Sequence, residues 1–359
     1  MRAIDRVEIR SGEIYDFLSS IYRLTNNERL IEHFKELTPG YRPVGEIIDW
    51  IVSAARRTPE TIREKMDLYF NWQAPLGMRV SHLISERDLS TLSEFFEEVS
   101  RVSARDMLRD FLLIGLGPRT VGFDESIIEA LIEDQEKALV FLAERAVLTP
   151  HQKAIMLEFF ADPDSMKEDF LYLLQWYAEH IFPSVPYSVR EIGESVSALK
   201  KNLADRGEEY LLKLIDNMHY EELREERKVI LAVSYFVENA QGGVFHPLAK
   251  NDLFIVGYKL ISSVLEETPL HLTALRFKAL GNEKRLRLLN TLFGKRYTGY
   301  DLSRKLKMSN AEVTESFSSL VVCGLVRTYR TSDGIYFTAD RQEVIELLSR
   351  DLKPESYSD

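Results

Sequence analysis

The residues that could do chemistry cluster between positions 284 and 330, and the chemistry they suit is recognition rather than catalysis. Lys284, Arg285, Lys307, Arg327 and Arg330 supply cations. Ser309, Asn310, Ala311, Thr314, Glu315 and Ser318 form a short, mostly polar set at the start of a helical pattern. Cations hold phosphate, and outward residues near a helix N-terminus can read base edges. Elsewhere the reactive residue types are scattered. The seven histidines, at 33, 82, 151, 180, 219, 246 and 271, show no metal-ligand spacing. GLGPR at 115–119 lacks both the lysine of a phosphate loop and the third glycine of a dinucleotide fingerprint. Cys323 is the only cysteine, which excludes an internal disulfide and any Cys-rich metal site. No nucleophile elbow or metal pair emerges, so no catalytic residue, cofactor or metal is assigned and the chain is not read as an enzyme.

The candidate residues need elements to hold them. Asn282 can cap a helix that buries Leu286, Leu289 and Leu292 and stops at Gly294, with Lys284, Arg285 and Arg287 on its open face. A short helix follows over 300–306 with Leu302 and Leu306 inward, and Lys307-Met308 makes a turn. Ser309 caps the next helix, with Glu312 completing a capping box. There Val313, Phe317, Leu320 and Val321 recur at helical spacing and face a core, which turns Asn310, Ala311, Thr314, Glu315 and Ser318 outward. Gly324 ends that helix. Strands then flank Asp333-Gly334, a strong hairpin signal, placing Arg327 and Arg330 near an exposed tip. Two helices, a tight turn and a ribbon predict a winged helix-turn-helix.

This region resembles the winged-helix domain of ArsR-type bacterial transcription regulators. The resemblance rests on F-x-A-L-G-N-x-x-R-L-R-L-L as Phe277 to Leu289, the pair Asp301-Leu302, and the pattern from Ser309 to Val326. It implies a homodimer on a pseudo-palindromic double-stranded DNA operator, usually acting as a repressor. Two departures stand out. Metal-sensing members carry Cys-x-Cys where this chain has Thr298 and Tyr300, and the final helix over 342–352 lacks the Asp/His ligand set. Glu315 stands where many relatives have histidine. A carboxylate there is repelled by phosphate unless it accepts from a cytosine amino group.

Length suggests two or three domains in the 359 residues. From Thr273 to Leu352 there are 14 Lys and Arg against 9 Asp and Glu, a balance of +5, whereas residues 1–272 hold 31 against 46, a balance of −15. An acidic body carrying a basic module suits a module that must attract phosphate. The expected division is a helical sensor and dimerisation body over 1–268, the winged helix over 269–352 and a tail over 353–359.

The body reads as a succession of amphipathic helices, mainly α and close to all-α. Thr58 with Pro59 is a start signal, as are Thr149-Pro150 and Asp162-Pro163. One helical run of some five turns extends over 125–145, and EELREER at 221–227 reads as a solvated helix face. KVILAVSYFVE and NDLFIVGYKL read as a small strand pair within 228–260, with Ala240-Gln241-Gly242-Gly243 as a turn and VEIR near the N-terminus as a partner strand. The dense aromatics Phe170, Tyr172, Trp176, Tyr177 and Phe182 read as helical core, with room for a ligand cavity.

The charged N-terminus and the absence of an apolar run near ~18 residues argue for a cytoplasmic protein outside the membrane. The leading expectation is a transcription regulator whose body senses a small-molecule or protein effector. Two alternatives stay open: an interaction scaffold whose winged helix pairs with protein, and an enzyme or ligand carrier with an accessory winged helix.

Overall fold

The computed structural model describes residues 3–37, 41–72, 75–112, 125–144, 150–215, 227–244, 249–263, 269–308, 310–331 and 334–351. Among these residues the fold is mainly helical, with one small mixed sheet and one separate hairpin. The GLGPR segment, the acidic run before Arg227, Thr149, Ser309, Ser332, Asp333 and the tail lie outside the described residues.

The sheet organises the body. Strands β1 (Val7–Ser11), β2 (Lys228–Ser234), β3 (Gln241–Val244) and β4 (Asn251–Gly257) lie in the order β1-β2-β4-β3. β2 pairs in parallel with β1, Val7 opposite Val229, and with β4, Lys228 opposite Asn251. The N-terminal VEIR segment thus joins as the sequence suggests. Both central strands carry an apolar run, Val229–Val233 in β2 and Leu253–Val256 in β4, buried on both faces, the pattern of parallel strands covered by helices. The Gln241–Gly243 stretch, expected as a turn, is instead an antiparallel edge strand with Gln241 opposite Val256. The reversal happens one step earlier, where the Ala240 N–H bonds the Val237 carbonyl at 3.0 Å. The glycines fit because an edge strand needs no packed side chain, and a Cβ on Gly242 would meet nothing. The body is therefore mainly α rather than all-α.

The body's helices are α1 (Glu13–Leu37), α2 (Gly45–Arg57), α3 (Glu60–Tyr69), α4 (His82–Glu86), α5 (Leu92–Arg101), α6 (Ala104–Asp110), α7 (Glu125–Glu133), α8 (Gln135–Glu144), α9 (Pro150–Ala161), α10 (Pro163–His180), α11 (Val189–Ile215) and α12 (Leu260–Ser263), of which α1, α4, α11 and α12 pack on the sheet. α1 is kinked at Asn26, whose side chain donates to the carbonyls of Tyr22 and Phe70. α11 is broken at Gly207, where φ of 59° suits glycine.

Three local expectations change. Thr58 ends α2 rather than starting α3: its hydroxyl donates back to the Ala54 carbonyl at 2.8 Å, and Pro59 precedes α3. The long run over 125–144 is two helices parted at Asp134, whose carboxylate accepts from the backbone N–H of Lys137 and so caps the second. Phe170 and Tyr177 are fully buried, but Tyr172 is 53% exposed, so the aromatic set of α10 is not one cavity lining.

Asp16 joins α1 to the sheet. It is wholly buried and accepts from the Ser234 hydroxyl at 2.5 Å and from the N–H groups of Tyr235 and Phe236 at 2.9 and 3.4 Å. Those donors lie where β2 ends and its ladder stops, so Asp16 satisfies them in place of a strand partner. Burial dominates its ionisation and pushes its pKa up to about 7 against the pull of these hydrogen bonds.

The C-terminal region comprises α13 (Pro269–Leu280), α14 (Glu283–Leu292), α15 (Gly299–Leu306), α16 (Asn310–Val322), β5 (Arg327–Thr331), β6 (Gly334–Thr338) and α17 (Arg341–Asp351). Its hydrophobic core runs from Ala279 to Val344 and shares no residue with the body core, which runs from Ile14 to Ile261.

Candidate nucleic-acid interface

α14 starts as the sequence predicts, with the Asn282 side chain accepting from the Arg285 N–H at 3.2 Å. Its buried face differs by one position. Leu288, Leu289 and Leu292 are inside, while Leu286 is 39% exposed, because the helix meets α16 along the stripe containing Leu288. α15 opens with a full capping box between Thr298 and Asp301 and buries Leu302 completely.

Lys307 then turns the chain in the left-handed region, with φ of 54°. A non-glycine residue there is strained by roughly 1 kcal/mol. Lys307→Gly is therefore expected to raise stability by about 1 kcal/mol in urea denaturation. An unchanged or lower midpoint would show that the lysine side chain repays the strain.

In α16, Val313, Phe317, Leu320 and Val321 are all buried, as their spacing requires. Phe317 stacks on Phe337 of β6 with ring centroids 3.7 Å apart, which fixes the hairpin against the helix. The helix ends at Gly324 with φ of 69°, where the Leu325 N–H bonds the Leu320 carbonyl and the Gly324 N–H that of Val321. Arg276 of α13 is buried and donates to the Cys323 carbonyl at 3.1 Å, a cation at a helix C-terminus. Cys323 itself is buried.

Strands β5 and β6 pair antiparallel with Thr331 opposite Gly334, so Gly334 belongs to a strand. Asn310, Ala311, Thr314, Glu315 and Ser318 fall within α16 and Arg330 within β5. Their side chains lie outside the described part of the structure, as does all of Ser309.

The remaining predicted cations divide into two kinds. Lys284 is paired with Glu312 across α14 and α16, and Arg327 with Glu343 of α17 at 2.6 Å. Both pairs are about half exposed, so each is worth at most about 1 kcal/mol and can be exchanged for phosphate. Arg285 and Lys307 show no acidic partner among the described residues. A cleft between the start of α14 and α16 is lined by Asn282, Glu283, Lys284, Arg285, Glu312 and Ser316.

No protein-family model, curated protein or solved structure matches this chain.

Arg304 and Lys305 add exposed cations on α15 that the sequence reading passes over. The Lys305 ammonium donates to the Tyr297 hydroxyl at 3.1 Å, and that hydrogen bond holds the phenol below its ordinary pKa. Their signal is tertiary: only the placement of α15 shows that these basic positions face solvent. No group of three or more metal-ligating side chains occurs among the described residues, and none of their helices is long and apolar enough to cross a membrane. A second polar cluster, buried Arg23, Glu238 and Tyr41 with partly exposed Lys259, lies in the body and has no signature along the chain.

Proposed function

We propose that the region from Pro269 to Asp351 is a winged helix-turn-helix of ArsR type, and that the chain is a cytoplasmic DNA-binding transcription regulator acting as a repressor. The observation that carries this reading is the order of elements. α15, a left-handed turn at Lys307, α16 and a hairpin share one small core around Leu302, Phe317 and Phe337. In such a module α16 enters the major groove, and Arg285, Lys307 and the hairpin arginines Arg327 and Arg330 hold phosphate. The +5 balance of the module against −15 in residues 1–272 supports it. α13 and α17 pack together and expose Phe277 and Ile345, at 43% and 47%, a surface suited to a homodimer. The acidic body then senses a small-molecule or protein effector.

Selection of bound genomic fragments followed by mobility shift tests the proposal. One sequence class is expected to be enriched, with affinity falling steeply as salt rises. Asn310→Ala or Thr314→Ala should change the preferred sequence, whereas Arg330→Ala should weaken all sites alike. Lys307→Gly should lower the salt slope by about 1. No enrichment, together with binding that does not respond to salt, would sink the proposal.

A scaffold that binds protein through the same module is the second reading. It is favoured by the carboxylates that already occupy Lys284 and Arg327.

A further inference from the structure

Arg23 sits near the middle of α1 and is fully buried. Its Nη2 lies 2.8 Å from Oε1 of Glu238, a carboxylate buried equally deeply. That contact is an ion pair without hydrogen-bond geometry, and apart from the interaction of the guanidinium with the Tyr41 hydroxyl, Nε, Nη1 and Nη2 have no hydrogen-bond partner among the described residues. Buried guanidinium groups ordinarily spend their donors, because an unmade bond in low dielectric is costly.

The second oxygen of Glu238 accepts from the Tyr41 hydroxyl at 2.8 Å, and the Lys259 ammonium stands 3.8 Å from it. Two cations thus face one carboxylate, an excess of one positive charge. Glu238 itself is held in the left-handed region with φ of 46°, a strained placement for a charged residue. Beside the charges lies an apolar wall. The Arg23 guanidinium stands over the Phe34 ring at 5.3 Å, and Phe34 meets Tyr41 edge-on at 5.2 Å. Leu30, Phe34 and Tyr41 form a small buried cluster of their own, outside the main body core. Lys259, with its side chain 35% exposed, marks the side open to solvent.

We propose that Arg23, Lys259 and Tyr41, with Phe34 and Leu30, form a binding site for a small organic acid. Its carboxylate accepts from the unspent donors of Arg23 and balances the charge that Lys259 adds. Its apolar part lies against Phe34 and Leu30. The excess positive charge selects an anion over a cation, and the apolar wall selects an organic acid over an inorganic anion. The site would supply the effector of the regulator reading and rests on that reading only for its biological use.

The test uses the full chain without DNA, by thermal unfolding and titration calorimetry with benzoate, hexanoate, benzamide and inorganic phosphate. Benzoate or hexanoate is expected to raise Tm by about 2 °C at roughly ten times Kd, with benzamide inactive and phosphate weaker. Lys259→Met should keep a cooperative unfolding transition and weaken carboxylate binding about tenfold. That variant is chosen because Arg23→Met strands a buried carboxylate and endangers folding. The proposal is overturned if neither carboxylate binds, if benzamide binds as well, if phosphate binds best, or if Lys259→Met binds with unchanged affinity. Failure here leaves operator binding untouched, and failure to bind DNA leaves these titrations standing.

Discussion

Gly257→Ala is expected to cost about 4 kcal/mol or more and to leave the body largely unfolded at moderate urea. A Cβ at this position would lie 2.0 Å from the carbonyl oxygen of Glu238, 2.4 Å from its carbonyl carbon and 2.9 Å from its nitrogen. All three are backbone atoms, so no side chain can swing away. The backbone at Glu238 is also pinned. Its carbonyl accepts from the N–H groups of Lys259 and Leu260, both at 3.1 Å. Its carboxylate is tied to Arg23 and Tyr41. Relief would require separating the ends of β2 and β4, where the Tyr258 N–H bonds the Ser234 carbonyl at 3.0 Å. Gly242→Ala is the matched control, since a Cβ there meets nothing within 4 Å. It should change stability by less than about 0.5 kcal/mol. Urea denaturation followed by circular dichroism decides the matter, and equal midpoints for the two variants would refute the steric account.

The second large effect is on the pH dependence of stability. Asp16 has a folded-state pKa of about 7 against an ordinary 3.8, raised chiefly by burial. Between these values the folded state keeps a proton that the unfolded state has released. Stability therefore falls as pH rises from about 4 to about 7 and levels off above, with a total contribution of order 2–4 kcal/mol. Asp16→Asn keeps an oxygen that can accept from Ser234, Tyr235 and Phe236 but cannot ionise. The variant should lose this slope and become more stable than the parent at pH 8. Urea midpoints of the two proteins between pH 4 and pH 8 measure it. Parallel curves would show that Asp16 is ionised throughout, held so by its three donors.

Several features could be read along the chain because they depend on neighbours three or four residues apart. The inward face of α16 is one, since Val313, Phe317, Leu320 and Val321 share a side of any helix they form. The caps at Asn282 and Asp162 are others, because the accepting side chain and the N–H it satisfies lie within one turn. The apolar texture of β2 and β4 marks strands for the same local reason.

Pairing is different. That β1 lies beside β2, some 220 residues later, follows from sharing a ladder, and only a hint of β texture in VEIR announced it. Lys284 and Arg327 look equally available along the chain, but the packing of α14 on α16 and of β5 beside α17 gives each a carboxylate. Asp16 and Arg23 read as ordinary polar positions of an amphipathic helix, because a sequence does not say which side of a long helix meets the sheet. Their meaning depends on Ser234 and Glu238, more than two hundred positions away. Local order came from the chain alone. Burial of charge, which decides the chemistry of the body, came only from tertiary packing, because the cost of a buried ion depends on partners that no short window contains.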